Sequence, residues 1–193
     1  MTQWLSHRMV ERGIIKEEEQ ELYQFGIRNG MILLLNVVTA LVIGLLTEQL
    51  AVVAVFTLSF MVLRSYTGGY HSDSRIFCYL GSNLVLLVPV YTQAVFYKTS
   101  LAWLLAVLLV SAGIIFLLSP MHSKNRKLDK EEQKHFGRKA RLIAALELAV
   151  LGILWHAGQI PYAYAVYTGI CITALFMLVG KAQLWIQSHT ENG

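Results

Sequence analysis

The side chains with capacity for chemistry concentrate in one stretch, Arg64-Ser-Tyr-Thr-Gly-Gly-Tyr-His71-Ser-Asp-Ser-Arg75-Ile-Phe-Cys78. A cysteine and a histidine within reach of one another are the minimum unit of nucleophilic thiol chemistry, because the thiolate is the nucleophile and a neighbouring imidazolium stabilises it. A helix N-terminus acts in the same direction. Arg64 and Arg75 would add positive field, or hold a carboxylate of a substrate. Gly68 and Gly69 free the backbone to fold a polar segment back between helices.

Spacing limits this reading. Seven residues along one continuous helix separate two Cα atoms by about 10.5 Å. A Cys78–His71 contact therefore needs His71 on a loop bent back toward the helix that carries Cys78, or a contact across a dimer. The plainer reading of an isolated His and Cys is a loop histidine and a small buried hydrophobe. Asn83 follows on the same helix and could line the same site.

The elements that must position these residues are membrane spans. Of 193 residues, 55% are apolar and 15% charged, with a mean hydropathy of +0.52. Soluble domains carry about 25% charged residues. A spanning helix needs roughly 17–25 mostly apolar residues, and six segments qualify or come close. They run from Gly30 to Leu46, from Leu50 to Leu63 or on through Tyr66, and from Ile76 to Phe96 with a kink at Pro89. Three more run from Leu101 to Leu118, from Leu142 to Trp155, and from Pro161 to Val179. The expected fold is all-α and polytopic, with about six transmembrane helices. Residues 1–29 form a cytoplasmic or interfacial amphipathic segment, 30–186 the integral membrane domain, and 187–193 a tail. The polar first residues carry no removable signal peptide pattern.

Charge gives the orientation. Fifteen of the sixteen Lys and Arg fall in one set of alternate loops, and Lys98 stands alone in the other set. The positive-inside rule then places both termini and the loops 64–75 and 119–141 in the cytoplasm. The net charge of +4 is accounted for in this way, as attraction to membrane lipid and orientation in it, with no nucleic acid involved. The 119–141 loop reads as an orientation signal with a helical second half.

Other polar groups take structural readings. Glu147, six residues into the fifth span, must be protonated, paired or in a cavity; Arg141 or Lys139 would be its partner. A small transporter or channel using Glu147 is the alternative function. Asn36, Asn83 and Gln93 read as interhelical hydrogen-bonding groups, and Cys171, between two isoleucines, as a buried hydrophobe. No metal-ligand spacing and no cofactor motif occurs in the sequence.

The run Arg64-x-Tyr-x-Gly-Gly-x-His71, followed by Cys78 at the head of an apolar helix, resembles the AgrB family of Gram-positive bacteria. The later Ser-Pro120-x-x-x-x-Asn125 and its basic, glutamate-containing loop are also similar. That resemblance implies a multi-pass cysteine endopeptidase of the cell membrane, with Cys78 as nucleophile and His71 as its essential histidine. It also implies roles for Arg64 and Gly69. The implied substrate is a small quorum-sensing precursor with an amphipathic N-terminal helix, released as a thiolactone or lactone peptide. The implied assembly is a homodimer.

Overall fold

A computed structural model describes residues 2–68, 75–121 and 129–190. They form helices α1 (Thr2–Glu11), α2 (Gln20–Leu46), α3 (Leu50–Thr67), α4 (Arg75–Tyr91), α5 (Gln93–Lys98), α6 (Leu101–Leu118), α7 (Lys130–His156) and α8 (Ile160–Thr190). No strand occurs among the described residues. The chain divides into two compact units, 1–39 and 40–193.

In the first unit, α1 carries its own local contacts. The Arg8 guanidinium lies 4.5 Å from the centre of the Trp4 ring, and His7 Nε2 lies 3.5 Å from Glu11 Oε1. A 3-10 turn, Glu17–Glu19, leads into α2, and Lys16 N donates to Glu19 Oε2 at 3.2 Å. Trp4, Ile14, Leu22 and Phe25 are exposed among charged neighbours.

The second unit is a helical bundle built around α3 and α8. Two clusters of buried side chains fix the helix directions. Val52, Val53 and Phe56 from the start of α3 pack with Tyr164 and Ala165 from the start of α8, and with Leu86 of α4 and Phe96 of α5. Leu63, near the end of α3, packs with Ile115 of α6, Ala144 of α7 and Met177 of α8. Helices α3 and α8 therefore run parallel, while α4 runs back antiparallel to α3. Large apolar side chains cover the outside, among them Leu58, Leu84, Leu109, Leu117 and Ile153. Water does not tolerate an apolar exterior of this extent, and lipid does.

Four helical stretches are long and apolar enough to cross a bilayer: Glu17–Leu46, Leu50–Thr67, Leu101–Leu118 and Ile160–Ile186. The doubtful second span is thus complete, since α3 has 18 residues and a length of about 27 Å. The chain is an all-α polytopic membrane protein.

The third span departs from expectation. Instead of running unbroken to Phe96, α4 ends at Tyr91 and α5 starts at Gln93. Pro89 lies within α4, where a proline offers no N–H and its ring crowds the carbonyl four residues back. One residue past the helix end the chain is re-anchored. Thr92 N and Oγ1 both donate to the Val88 carbonyl, at 3.0 and 2.8 Å, and Thr92 Oγ1 lies 2.6 Å from the hydroxyl of the buried Tyr164. The break thus ties α4 to α8.

Helix–helix hydrogen bonding also differs from the sequence reading. Gln93 Nε2 donates to Tyr97 within α5 at 3.5 Å, and the buried Oδ1 atoms of Asn36 and Asn83 have no partner among the described residues. One interhelical polar link is made by Ser59 of α3, whose Oγ donates to Glu147 Oε2 of α7 at 2.7 Å. Arg141 is no partner of Glu147, because six helical residues turn the two about 120° apart around the axis. Its guanidinium reaches the end of α6 instead. Gly169 of α8 sits directly against Ser59, and a Cβ there would run into Ser59 Oγ.

Candidate active site

The end of the bundle where α3 and α6 finish and α7 begins carries the motif residues. At the last turn of α3, Thr67 is fully buried. Its carbonyl accepts a 2.9 Å hydrogen bond from Met121 N, three residues beyond the end of α6. Loops 64–75 and 119–141, assigned to one side by charge alone, are therefore bonded to each other.

Gly68 ends α3 with φ +71° and ψ −152°, a region of backbone space that is essentially glycine-only. A Cβ at this position would also collide with the Met121 carbonyl. Gly68→Ala is expected to cost about 1–3 kcal/mol from the backbone alone, and thermal unfolding of the purified protein in detergent measures that loss.

Arg64 projects from the same turn. Its Nη1 donates to the Gly68 carbonyl, closing the turn, and its Cζ lies 5.3 Å from the centre of the Phe176 ring of α8. The arginine is thus held by α3 and α8 together. Tyr66 meets α7 through Phe136, with ring centroids 6.3 Å apart, and the Lys139 ammonium lies 5.8 Å from the Tyr66 ring centre.

Six residues, 69–74, separate Gly68 from Arg75 at the start of α4. His71 and Gly69 fall among them and lie outside the described residues, as do the side chains of Arg75 and Cys78. The backbone puts Arg75 first and Cys78 fourth in α4, in the first turn, where amide N–H groups lack intrahelical acceptors and favour negative charge. Asn83, five positions further, is rotated about 140° around the helix axis from Cys78, so the two do not share a helix face. Cys171 is half-buried and borders an apolar groove between α6 and α8 with Ser111 and Ala174. No group of three or more metal-ligating side chains occurs among the described residues.

The sequence reading passed over the α7 side of this end. Gly137 stands where a Cβ would lie 2.9 Å from Pro120 Cδ. Arg141 Nε donates to the Phe116 carbonyl at 3.1 Å, and its Nη2 to the Ser119 carbonyl at 3.5 Å. One signal for this contact was available: a glycine inside an otherwise helix-favouring charged run marks a close approach.

Comparison with known proteins bears on the whole chain. It is 26% identical over 156 residues to accessory gene regulator protein B of Staphylococcus intermedius, covering 79% of this chain and 80% of that protein. To putative AgrB-like protein 2 of Clostridium perfringens it is 24% identical over 131 residues, 65% of this chain. That alignment spans 61% of the clostridial protein's length. A second clostridial relative, putative AgrB-like protein of strain SM101, matches to the same extent. No solved structure matches. The profile of the accessory gene regulator B family matches residues 1–178, nearly the full length of a helical membrane bundle whose Arg64–Gly68 turn is bonded to the loop after α6, and the chain belongs to that family.

Proposed function

We propose that this chain is a membrane-embedded cysteine endopeptidase of quorum sensing, acting at the cytoplasmic face of a Gram-positive cell membrane on a small precursor peptide. Family membership over residues 1–178 carries the reading. Two features of the chain support it: Cys78 is the fourth residue of α4, at a helix start that favours a thiolate, and the fixed turn at Gly68 opens the segment that holds His71.

The Cys78 thiolate attacks the carbonyl carbon of a peptide bond near the precursor's C-terminal part. The C–N bond then breaks, and His71 gives a proton to the departing amine. The remaining peptide stays on Cys78 as a thioester. A thiol or hydroxyl within that peptide attacks the thioester, gives its proton to His71 and releases Cys78, closing a thiolactone or lactone ring. Internal attack outcompetes water where the site holds the nucleophile close, because effective molarities of well-oriented groups are high. Arg64 and Arg75 attract the carboxylates of the precursor. Trp4 and its apolar neighbours rest on the cytoplasmic surface, and the working unit is a homodimer.

The transporter reading has less in its favour. It rests on Glu147 together with the polar residues of the first and third spans, and Glu147 is engaged by Ser59 in a helix–helix bond.

Incubating the reconstituted protein with precursor peptide and analysing it intact by mass tests the proposal. The expected result is a protein–peptide adduct that hydroxylamine removes and that Cys78→Ala does not form. An adduct on Cys171, or one stable to hydroxylamine, would overturn it.

A further inference from the structure

The clamp between α7 and the end of α3 has no part in the chemistry outlined above, yet it holds the Thr67–Gly68 peptide, three residues before His71 in the sequence. Thr67 and Gly68 are gripped on one side by Met121, through the amide bond to the Thr67 carbonyl and the close approach of the Met121 carbonyl to Gly68. Met121 is in turn set by the segment Ser119-Pro120. That segment lies directly on Gly137 and is held at its Ser119 carbonyl by Arg141. Arg141 also takes the Phe116 carbonyl, one of the last-turn groups of α6 that have no acceptor role within the helix. The ends of α3 and α6 are thereby joined to each other by a backbone bond and to α7 by the Arg141 side chain.

We propose that Arg141 and Gly137 are positioning residues of the peptidase: by seating residues 119–121 they fix the Thr67–Gly68 peptide, and with it the starting point of the segment that delivers His71 to Cys78. This inference rests on the peptidase reading. Arg141 acts through two carbonyls, and Gly137 acts by leaving room for Pro120. A displacement of about 1 Å transmitted to a catalytic group from a distance is enough to cost roughly 10²-fold in rate.

The test uses the full-length protein in lipid vesicles, on a Cys171→Ser background so that Cys78 is the single thiol. Two readouts are taken for Arg141→Ala, Arg141→Lys, Gly137→Ala and His71→Ala. One is kcat and KM for precursor cleavage per folded protein. The other is the pH profile of Cys78 alkylation by a small maleimide, which needs no precursor. Arg141→Ala and Gly137→Ala are expected to lower kcat by roughly 10²-fold with KM little changed, and to move the alkylation profile toward that of His71→Ala. Arg141→Lys, which keeps one donor group within reach of a carbonyl, is expected to recover part of kcat. If His71→Ala changes the alkylation profile and both clamp variants keep the wild-type profile and kcat, the positioning role is overturned while the peptidase reading stands. A lower yield of folded protein with unchanged kcat and profile overturns it equally. If His71→Ala leaves the profile unchanged, the peptidase reading fails and the inference falls with it.

Discussion

Replacing His71 by alanine is expected to slow precursor cleavage by roughly 10²- to 10⁴-fold, the range that a positioned general acid–base contributes. In the proposed mechanism the loss falls on kcat, because the imidazole moves protons and contributes little to holding the peptide. Two steps depend on it. The departing amine needs a proton when the C–N bond breaks, and the internal thiol or hydroxyl must lose one when the ring closes. A linear, released product from His71→Ala at the wild-type rate would contradict the assignment. Accumulation of the thioester adduct in that variant would refine it, placing the larger demand on ring closure. Either result is read from the intact mass of the protein at successive times. His71→Ala should leave membrane insertion unchanged, since His71 falls between α3 and α4 in the sequence and contributes nothing to their hydropathy.

A second large effect on stability is expected at Gly169. Here α8 approaches α3 so closely that a Cβ would overlap Ser59 Oγ and lie 3.4 Å from Phe60 N. Ser59 Oγ can turn aside, but Ser59 Cβ, 3.1 Å from the added Cβ, cannot, so relief requires the two helices to shift apart. Parting them also breaks the contact geometry behind the 2.7 Å Ser59–Glu147 bond, which leaves a carboxyl in the span without its partner. Without a difference in hydrophobicity between lipid and core, packing and such polar links are what hold membrane helices together. Overpacking of this kind costs about 1–3 kcal/mol, and Gly169→Val should exceed Gly169→Ala. For a chain of this length each kcal/mol lowers Tm by roughly 2–4 °C. Gly152 of α7 is the internal control, because nothing lies within 4 Å of a Cβ built there. Gly152→Ala should stay within about 0.5 kcal/mol of wild type. Thermal unfolding in a mild detergent separates the two, and equal midpoints for Gly169→Val and Gly152→Ala would show that the α3–α8 approach is not tight.

Much of this architecture could be read from hydropathy and loop charge. Spans are dictated by the bilayer's thickness and by the need to satisfy every backbone group within a helix, so α6 and the starts of α3 and α8 follow closely from composition, while α8 runs on past the expected end at Val179 to Thr190. Sidedness follows from Lys and Arg, and the bond between Met121 and Thr67 joins the two loops that charge had placed together. What eluded the sequence depends on which face of each helix meets which neighbour. Glu147 could be seen to need a partner, but that partner, Ser59, is 88 positions away in sequence and on another helix. Arg141 sits in a run of cations whose charges all carry the same topological meaning. Its particular role comes from its rotation about α7 toward the carbonyls of Phe116 and Ser119. Pro89 announced a distortion, yet the helix ends two residues later, where Thr92 can reach both Val88 and Tyr164. Within the candidate site, residue types and spacing directed attention to 64–78, and the conformation demanded of Gly68 was foreshadowed by the paired glycines.

The claim at the centre of this account is that one thiol, at the fourth residue of α4, does the chemistry. The most direct measurement is cleavage of the precursor peptide by purified protein in lipid vesicles, followed by mass, for wild type, Cys78→Ala and Cys171→Ala at matched protein levels. The account predicts that wild type and Cys171→Ala cut the peptide at comparable rates while Cys78→Ala gives no product. Cleavage by Cys78→Ala at the wild-type rate would contradict it.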